Sequence, residues 1–418
     1  MKDLLGPSAN IHALGLPQGS PAAKQADPPY SAESVIYLDN AASTEPAPEV
    51  LDALRATAAE LYANPASAHR GGAAAARALE KARSEVAASL DVEPAEVVFT
   101  SGGTEADALG VLGAARAARG RHIVVSALEH PAVMRCAEAL AGDGYALDVV
   151  APAANGVVSA EAVAAAVRPD TAVVAVMLVN NELGTRQPVA DIARLLGPSG
   201  DRKRPGRPHL HVDAVQAFGL SRLRPRALGA DSVALSAHKL HGPRGAGALW
   251  LRPGARVAPL WVGGGQERGL RGGSENLPAL VGFGVAARLA RAAVQGGVED
   301  QVAGLRDRFE QAALTALAGV VPGVRATVTG APRAPHIASL AFPGLPAEPL
   351  LHALDTRGVL ASAGSACASR TAGPSPTLKA IGIDDRTAVL RFSFSRLTPN
   401  GDADAAIAAL VDAARELR

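Results

Sequence analysis

Short apolar segments alternate with amphipathic helical segments through the middle of this chain. The helical segments carry apolar residues at three- and four-residue spacing, and turn residues bound the short segments. Seven segments are typical of strands, at residues 96–99, 122–125, 145–150, 172–179, 210–213, 231–235 and 246–251. Strands that alternate with helices favour a sheet covered by helices on both faces. The sequence therefore predicts an α/β fold with a mostly parallel, seven-stranded sheet.

The last part of the chain predicts a smaller α+β domain, with strands near residues 337–342 and 389–394. We place the domain boundary in the helical stretch near residue 294. The resulting units are a flexible N-terminal arm at 1–34, a segment at 35–46 that contributes to the small domain, a large domain at 47–294 and the small domain at 295–418.

Composition narrows the classes of function. A formal net charge of +1 provides no basic field for nucleic acid. The two cysteines, Cys136 and Cys367, cannot build a disulfide framework and fit a reducing compartment. No apolar run reaches the roughly 18 residues of a membrane helix, and residues 1–34 resemble neither a signal peptide nor a transit peptide. We expect a cytoplasmic protein that binds neither membranes nor nucleic acid.

Polar and glycine-containing segments follow the predicted strands where each strand ends. They are residues 100–105, 129–130, 180–184, 213–216 and 236–239. In doubly wound sheets, ligands bind at the carboxyl ends of the strands. The sequence therefore predicts a ligand site at one edge of the sheet.

Lys239 lies in the segment SAHKLHGPRG, residues 236–245, which predicts a turn between two strands. A lysine that forms a Schiff base must lose its proton near neutral pH, which requires desolvation or a cationic neighbour. Small and turn-forming residues also hold its backbone still. Taken alone, the segment is better explained as a surface turn that contains a lysine. The other strand ends favour the Schiff-base role.

Asp213 follows a buried strand, and pyridoxal 5'-phosphate (PLP) needs a carboxylate at its ring nitrogen. The alternation of His209, His211 and Asp213 also fits a metal site, to which His238 and His241 could contribute. This alternative would make the chain a metal-dependent hydrolase. It leaves the lysine turn without a role, so we rank it below PLP and expect no metal.

Gly103 and Thr104 open a helix after a strand, where free amides and the helix dipole bind phosphate. An ordinary capped helix start is the alternative. His130 begins another helix, and its ring could stack on a cofactor or relay a proton. A structural loop histidine would have the same sequence context.

Arg391 lies in an apolar strand, where an arginine is costly unless it is paired. It could bind a substrate carboxylate together with Asn181, or form an internal salt bridge. Cys367 lies among small polar residues in a predicted loop, which suits a nucleophile. Cys136 lies on an apolar helix and is expected to be a buried structural thiol.

Nine motifs carry a resemblance to a known family. They are YLDNAA (37–42), NPAS (64–67), TSGGTE (100–105), EH (129–130), NNE (180–182), HVDAVQ (211–216), SxHKxxGPxG (236–245), SxGSAC (362–367) and RFS (391–393). With them the chain resembles the cysteine desulfurases, within the fold-type I, class V aminotransferase group of PLP enzymes. The resemblance runs from about Tyr37 to the C-terminal helix. The Cys367 motif is similar to that of the longer-loop subgroup, which includes the housekeeping and nitrogen-fixation desulfurases.

The resemblance implies conversion of L-cysteine to L-alanine, with the sulfur transferred to Cys367 as a persulfide. The sulfur then passes to an acceptor, such as an iron–sulfur scaffold or a sulfurtransferase. It also implies a homodimer in which Ser274 reaches the partner's cofactor. Lys239, Cys367 and His130 are the implied catalytic residues, and Asn181 and Arg391 are implied to bind the substrate carboxylate.

The resemblance further implies which residues hold PLP. Lys239 binds it covalently, Asp213 pairs with the ring nitrogen, Gln216 bonds the ring hydroxyl and His130 stacks on the ring. The implied phosphate ligands are Gly103, Thr104, Ser236, His238 and the partner's Ser274.

Two positions depart from the family pattern, because Ala108 replaces a common Asn and Ser274 replaces a common Thr. Neither removes a catalytic group. Selenocysteine lyase, another class V PLP enzyme and a catalytically silent scaffold stay open as alternatives.

Overall fold

The computed structural model describes residues 35–197, 207–364, 375–384 and 386–418. The strands are β1 (Ile36–Tyr37), β2 (Val97–Thr100), β3 (His122–Ser126), β4 (Ala146–Val150), β5 (Thr171–Ala175), β6 (His209–Asp213), β7 (Ser232–Ser236), β8 (Gly247–Leu251), β9 (Arg325–Ala326), β10 (Ile337–Pro343), β11 (Val359–Leu360) and β12 (Thr387–Ser393). The α-helices are α1 (Pro48–Glu60), α2 (Arg70–Leu90), α3 (Gly103–Ala108), α4 (Ala114–Ala117), α5 (Pro131–Gly142), α6 (Ala160–Ala165), α7 (Val189–Leu196), α8 (Leu277–Gln295), α9 (Val298–Leu317), α10 (Ala347–Asp355), α11 (Pro376–Ala380) and α12 (Asn400–Glu416). The predicted arm at 1–34 lies outside the described residues.

The central sheet has seven strands in the order β2-β8-β7-β6-β5-β3-β4. β7, β6, β5, β3 and β4 pair in parallel. β8 runs antiparallel to both of its neighbours, β2 and β7. β2 therefore points the same way as β7, and every strand of this sheet except β8 ends at the same edge. The predicted mostly parallel, seven-stranded α/β sheet is confirmed.

The strands of this sheet are buried on both faces because helices cover both sides. Successive side chains point in opposite directions, so neighbouring residues enter different cores. In β3, Val124 joins one core, whereas Ile123 and Val125 join another on the opposite face. The edge strand β4 is the exception, and its Val149 is 49% exposed. The long apolar runs that predicted these strands therefore reflect burial by helices on both sides.

Helix α8 is long and apolar enough to cross a membrane by length and composition alone. It packs instead against α1 and α2, and half of it is buried inside the protein. At Gly284, an added Cβ would lie 2.7 Å from the Cα of Ala82 in α2. Glycine therefore permits the close approach of these two helices, and α8 is a core helix.

A second set of elements surrounds the three-stranded antiparallel sheet β12-β10-β9, and β1 pairs with β11. Helices α9, α10 and α12 pack here. Their shared core includes Phe309, Phe342 and Phe392, and it also takes in Leu38 from the N-terminal side. The division of the chain near residue 294 stays a prediction.

Two features were not predicted. Strands β9 and β11 have two residues each, too few to generate an alternating pattern. Between α3 and α4 the helix widens into a π-helical segment, Leu109–Gly113. There, a Cβ at Gly110 would lie 2.2 Å from the ring Nδ1 of His211, so the helix backbone approaches that ring closely.

Candidate active site

A cavity lies at the common edge where the parallel strands end, as the sequence predicted. It is lined by Ala41, Ala42, Gly103, Thr104, Asp107, His130, Met177, Asn181, Asp213, Val215, Gln216, Ser236, His238, Lys239 and Arg391. Every predicted cofactor and substrate residue except Ser274 lines this cavity. Most of these residues follow strands of the central sheet, whereas Arg391 comes from β12 and the two alanines from the loop after β1.

Lys239 follows β7 in a short 3₁₀ turn that leads into β8. Its Nζ donates to the backbone oxygen of Ala41 at 2.5 Å and to that of Ala42 at 2.8 Å. The same N-terminal loop holds the turn, because Thr44 donates its backbone N–H and its hydroxyl to the backbone oxygen of His238. The loop after β1 therefore fixes both the lysine and its backbone.

Asp213 and His130 form another wall of the cavity. Asp213 Oδ1 accepts the Val215 N–H at 2.9 Å. Burial raises the pKa of Asp213, although His130, the Val215 amide and Lys239 act in the opposite direction. A cationic ring nitrogen would therefore stabilise this buried carboxylate.

The tautomer of His130 follows from its position at the start of α5. Its Nδ1 accepts the Ala132 N–H at 3.1 Å, and burial lowers the pKa of His130. A neutral imidazole that accepts at Nδ1 carries its proton on Nε2. His130 can therefore present a neutral ring to a cofactor.

The predicted phosphate ligands Ser236, Gly103 and Thr104 lie together in the cavity and offer hydrogen-bond donors. Ser236 is 1% exposed, and its buried Oγ has no hydrogen-bond partner among the described residues. Gly103 approaches so closely that a Cβ there would lie 2.8 Å from Val215 Cγ2. Gly103 and Thr104 also begin α3, where the first amides of a helix have no intrahelical partner. The donors fit a phosphate, and PLP fits the cavity as a whole.

Arg391 reaches the cavity from β12 and is 1% exposed. Its Nη1 donates to the backbone oxygen of Asn181 at 2.7 Å, and its Nη2 to Asp39 Oδ1 at 2.8 Å. The internal salt bridge considered from the sequence is therefore present. Arg391 also lines the cavity, so an internal salt bridge and a role in binding a substrate carboxylate are compatible.

Of the predicted residues that the structure describes, Ser274 is the one that is not brought to the cavity. Ser274 is exposed on the loop before α8 and does not line it. That loop is tied to α3 by an ion pair between Arg271 Nε and Glu105 Oε1 at 2.9 Å. Cys367 lies outside the described residues.

Asp107 is a cavity residue that the sequence did not single out. It lies three residues after Thr104, the spacing that places two side chains on one helix face. Its Oδ1 lies 3.1 Å from His211 Nε2. Burial raises the pKa of Asp107 well above its ordinary value, and the Asp213 and Glu129 carboxylates act in the same direction.

The histidines considered as metal ligands are used elsewhere. His209 Nε2 lies 2.7 Å and His211 Nδ1 2.8 Å from the same hydroxyl, Ser232 Oγ. His241 Nδ1 bonds the backbone oxygen of Glu45 instead. Over the described ranges, no three His, Cys, Asp or Glu side chains are grouped to hold a metal ion. The hydrolase alternative is therefore not favoured.

The sequence profile of the aminotransferase class-V family matches residues 36–405 of this chain. With this match and the cavity described above, the chain is a PLP-dependent enzyme. It is 36% identical over 388 residues to the cysteine desulfurase of Trichormus azollae, covering 92% of this chain and 94% of the relative.

Solved structures of similar proteins share the fold of this chain. A NifS-like protein superposes with a TM-score of 0.81 at 31% identity, covering 90% of this chain and 98% of the other. SspA, solved in complex with cysteine, superposes with a TM-score of 0.71 at 30% identity over 86% of this chain and 98% of its own. The chain therefore belongs to the cysteine desulfurase family of the class V aminotransferases.

Proposed function

We propose that this enzyme removes the sulfur of L-cysteine, releases L-alanine and transfers the sulfur to Cys367 as a persulfide. The observation that carries the proposal is the single cavity that collects Lys239, Asp213, His130 and Arg391 in a chain of this family. The relative SspA was solved with cysteine, which supports L-cysteine as the substrate.

Bound PLP withdraws electrons from the substrate carbon and thereby weakens the neighbouring carbon–sulfur bond. Lys239 would hold the cofactor covalently through Nζ, and Asp213 would pair with its ring nitrogen. Ser236 and Thr104 would donate to its phosphate, with His238 alongside. The buried Asp213 carboxylate supports these assignments, as does the Ser236 hydroxyl, which no described residue bonds.

Proton transfer at the substrate carbon would fall to Lys239. A released lysine amine can act as both base and acid. The Ala41 and Ala42 carbonyls, which accept from Nζ, would stabilise its protonated form and keep it beside the cavity. His130, neutral and protonated on Nε2, would contribute a ring face.

Arg391 would orient the substrate by binding its carboxylate, with Asn181 beside it. The guanidinium has one donor atom, Nε, that is buried without a partner among the described residues. Asp39 fixes the opposite side of the group at Nη2. An arginine held in this way presents a rigid fork, which suits a carboxylate.

Cys367 would complete the reaction as nucleophile, on the strength of its sequence motif and the family. Its thiolate would attack the substrate sulfur, so that a sulfur–sulfur bond forms and the carbon–sulfur bond breaks. The electron pair of the broken bond stays on carbon, which takes up a proton to become alanine. The persulfide then passes its sulfur to an acceptor protein.

Further parts of the proposal rest on the resemblance. We expect a homodimer in which Ser274, exposed here, serves the partner's phosphate. We also expect an acceptor such as an iron–sulfur scaffold or a sulfurtransferase, and action in the cytoplasm. The large and small domains would meet near residue 294.

The test is sulfide and alanine production from L-cysteine, with the visible spectrum recorded on the same sample. Wild type should produce both, and Cys367→Ala should lose sulfide release while keeping bound PLP. Cys136→Ala is the matched control, because Cys136 is buried and burial raises the pKa of its thiol to about 11. It should retain activity. Sulfide release by Cys367→Ala would refute the persulfide step.

A further inference from the structure

His336 joins the strand β10 to the wall of the cofactor cavity. It directly precedes β10 and is 2% exposed. Its Nε2 lies 3.1 Å from Gln216 Oε1. At the other end of the same amide, Gln216 Nε2 donates to the Ala41 backbone oxygen at 2.8 Å. That oxygen also accepts from Lys239 Nζ, so one hydrogen-bonded chain runs from His336 to the lysine.

These contacts admit one orientation of the Gln216 amide. A backbone oxygen can only accept, so Ala41 requires the amide nitrogen rather than the amide oxygen. Gln216 Oε1 then faces His336, whose Nε2 must carry the proton. A flipped amide would oppose two oxygens at Ala41. It would also move the histidine proton to Nδ1, which is buried without a partner among the described residues.

The surroundings of His336 keep its ring neutral. Burial lowers the pKa of His336 to about 3, and the cations Arg391, Lys239, Arg186 and Arg306 act in the same direction. A neutral imidazole has a single N–H. With that N–H bonded to Gln216, Nδ1 is left as an acceptor that no described residue bonds, which is less costly than an unpaired donor.

We propose that His336 is a positioning residue of the cofactor site, which fixes Gln216 so that its amide nitrogen faces the cavity. One N–H of that nitrogen bonds Ala41, and the second serves the ring hydroxyl of PLP. This inference rests on the proposed role of Gln216. It makes a residue beside β10 part of the cofactor site, although it does not line the cavity.

The test is PLP affinity in full-length holoenzyme dialysed against known PLP concentrations, with the loaded fraction read from visible absorbance. His336→Leu removes the donor and should weaken PLP binding about tenfold, by analogy with the loss found when a residue that supports a metal ligand is removed. His336→Gln restores an amide donor of similar reach and should recover most of the affinity. His336→Asn has a donor that is too short and should resemble the leucine variant, so the comparison survives misfolding of any one variant.

A double-mutant cycle separates positioning from general damage. In a Gln216→Ala background, His336→Leu should weaken PLP binding no further. His122→Leu is the matched control, because His122 is equally buried but bonds Thr171 and Asp148 away from the cavity. It should lower stability and leave PLP affinity unchanged.

Unchanged affinity in His336→Leu, or the same loss in both backgrounds, would overturn the proposal. An enzyme that released no sulfide from L-cysteine would refute the proposed function but would leave these PLP titrations valid.

Discussion

Arg83 and Glu267 are joined in the protein interior by two parallel hydrogen bonds of 2.7 Å each. Their side chains are 4% and 2% exposed. Glu267 Oε2 also accepts the backbone N–H of Phe99 at 2.8 Å. Helix α2, strand β2 and the loop that carries Ser274 therefore meet at one buried carboxylate.

Replacing Glu267 by Ala should destabilise the protein by about 3–5 kcal/mol, because the buried Arg83 would keep only its ion pair with the exposed Glu80. Denaturant unfolding measures the loss. Glu138→Ala is the control, since Glu138 pairs with Arg135 on the surface and should cost under about 1 kcal/mol. A similar loss of unfolding free energy in both variants would show that the buried ion pair stabilises the protein no more than the surface pair.

Ser236→Ala should leave the stability of PLP-free protein nearly unchanged, because the hydroxyl has no hydrogen-bond partner in the described part of the chain. It should weaken PLP binding by about tenfold, the equivalent of one hydrogen bond to a charged group. Ser232→Ala should lower the stability of the protein and leave PLP affinity nearly unchanged, since His209 and His211 both bond the Ser232 hydroxyl. Thermal melting measures the stability of the two variants, and PLP titration measures their affinity for the cofactor. Unaltered PLP affinity in Ser236→Ala would remove this serine from the phosphate site.

Glu129 should make the PLP-free protein less stable as pH rises. Burial raises the pKa of Glu129 to about 8, while its bonds from Ser126 and Met177 act in the opposite direction. An unfolded Glu titrates near about 4.3. The folded state therefore binds this proton more tightly, and stability falls as pH rises between those two values, by about 1.4 kcal/mol per pH unit at most.

Glu129→Gln removes this titration while keeping the side-chain shape. Its free energy of unfolding relative to wild type should therefore rise between about pH 5 and pH 8. Urea unfolding across that range measures the difference, with Glu138→Gln as an exposed control. Parallel pH profiles for Glu129→Gln and wild type would contradict the raised pKa.

Arg391→Lys should raise KM for L-cysteine by roughly tenfold or more, because lysine loses the bidentate geometry. Steady-state kinetics measure this change. Arg306→Lys is the control, since Arg306 is also buried but bonds the Ala334 backbone oxygen and does not line the cavity. It should affect stability alone. An unaltered KM in Arg391→Lys would mean that the ion pair with Asp39 is the whole role of this arginine.

The location of the site could be predicted from the sequence because its residues follow strands. Parallel strands place their carboxyl ends at one edge, so Asp213 and Lys239 had to lie near each other once the sheet was predicted. The antiparallel β8 does not disturb this arrangement, because the hairpin that contains Lys239 begins at the end of β7.

The contacts that fix these side chains could not be predicted. The Ala41 and Ala42 carbonyls hold Lys239, and a backbone oxygen has no signature in the sequence. The contact between His211 and Asp107 could not be predicted either, because the two residues meet only when a helix packs on the sheet. The same packing explains why the alternating histidines suggested a metal site that the structure does not favour.

The order of strands also has a consequence for how the enzyme assembles. β7 and β8 are neighbours in the chain, joined by residues 237–246, so these two strands can pair through local contacts. β2 pairs with β8 across a long stretch of chain, with Thr100 opposite Gly247. Such non-local pairing is slow to form during folding. Gly103 and Thr104 therefore reach the lysine only after β2 has paired with β8. The appearance of bound cofactor colour during refolding should report this non-local pairing rather than the earlier pairing of β7 with β8.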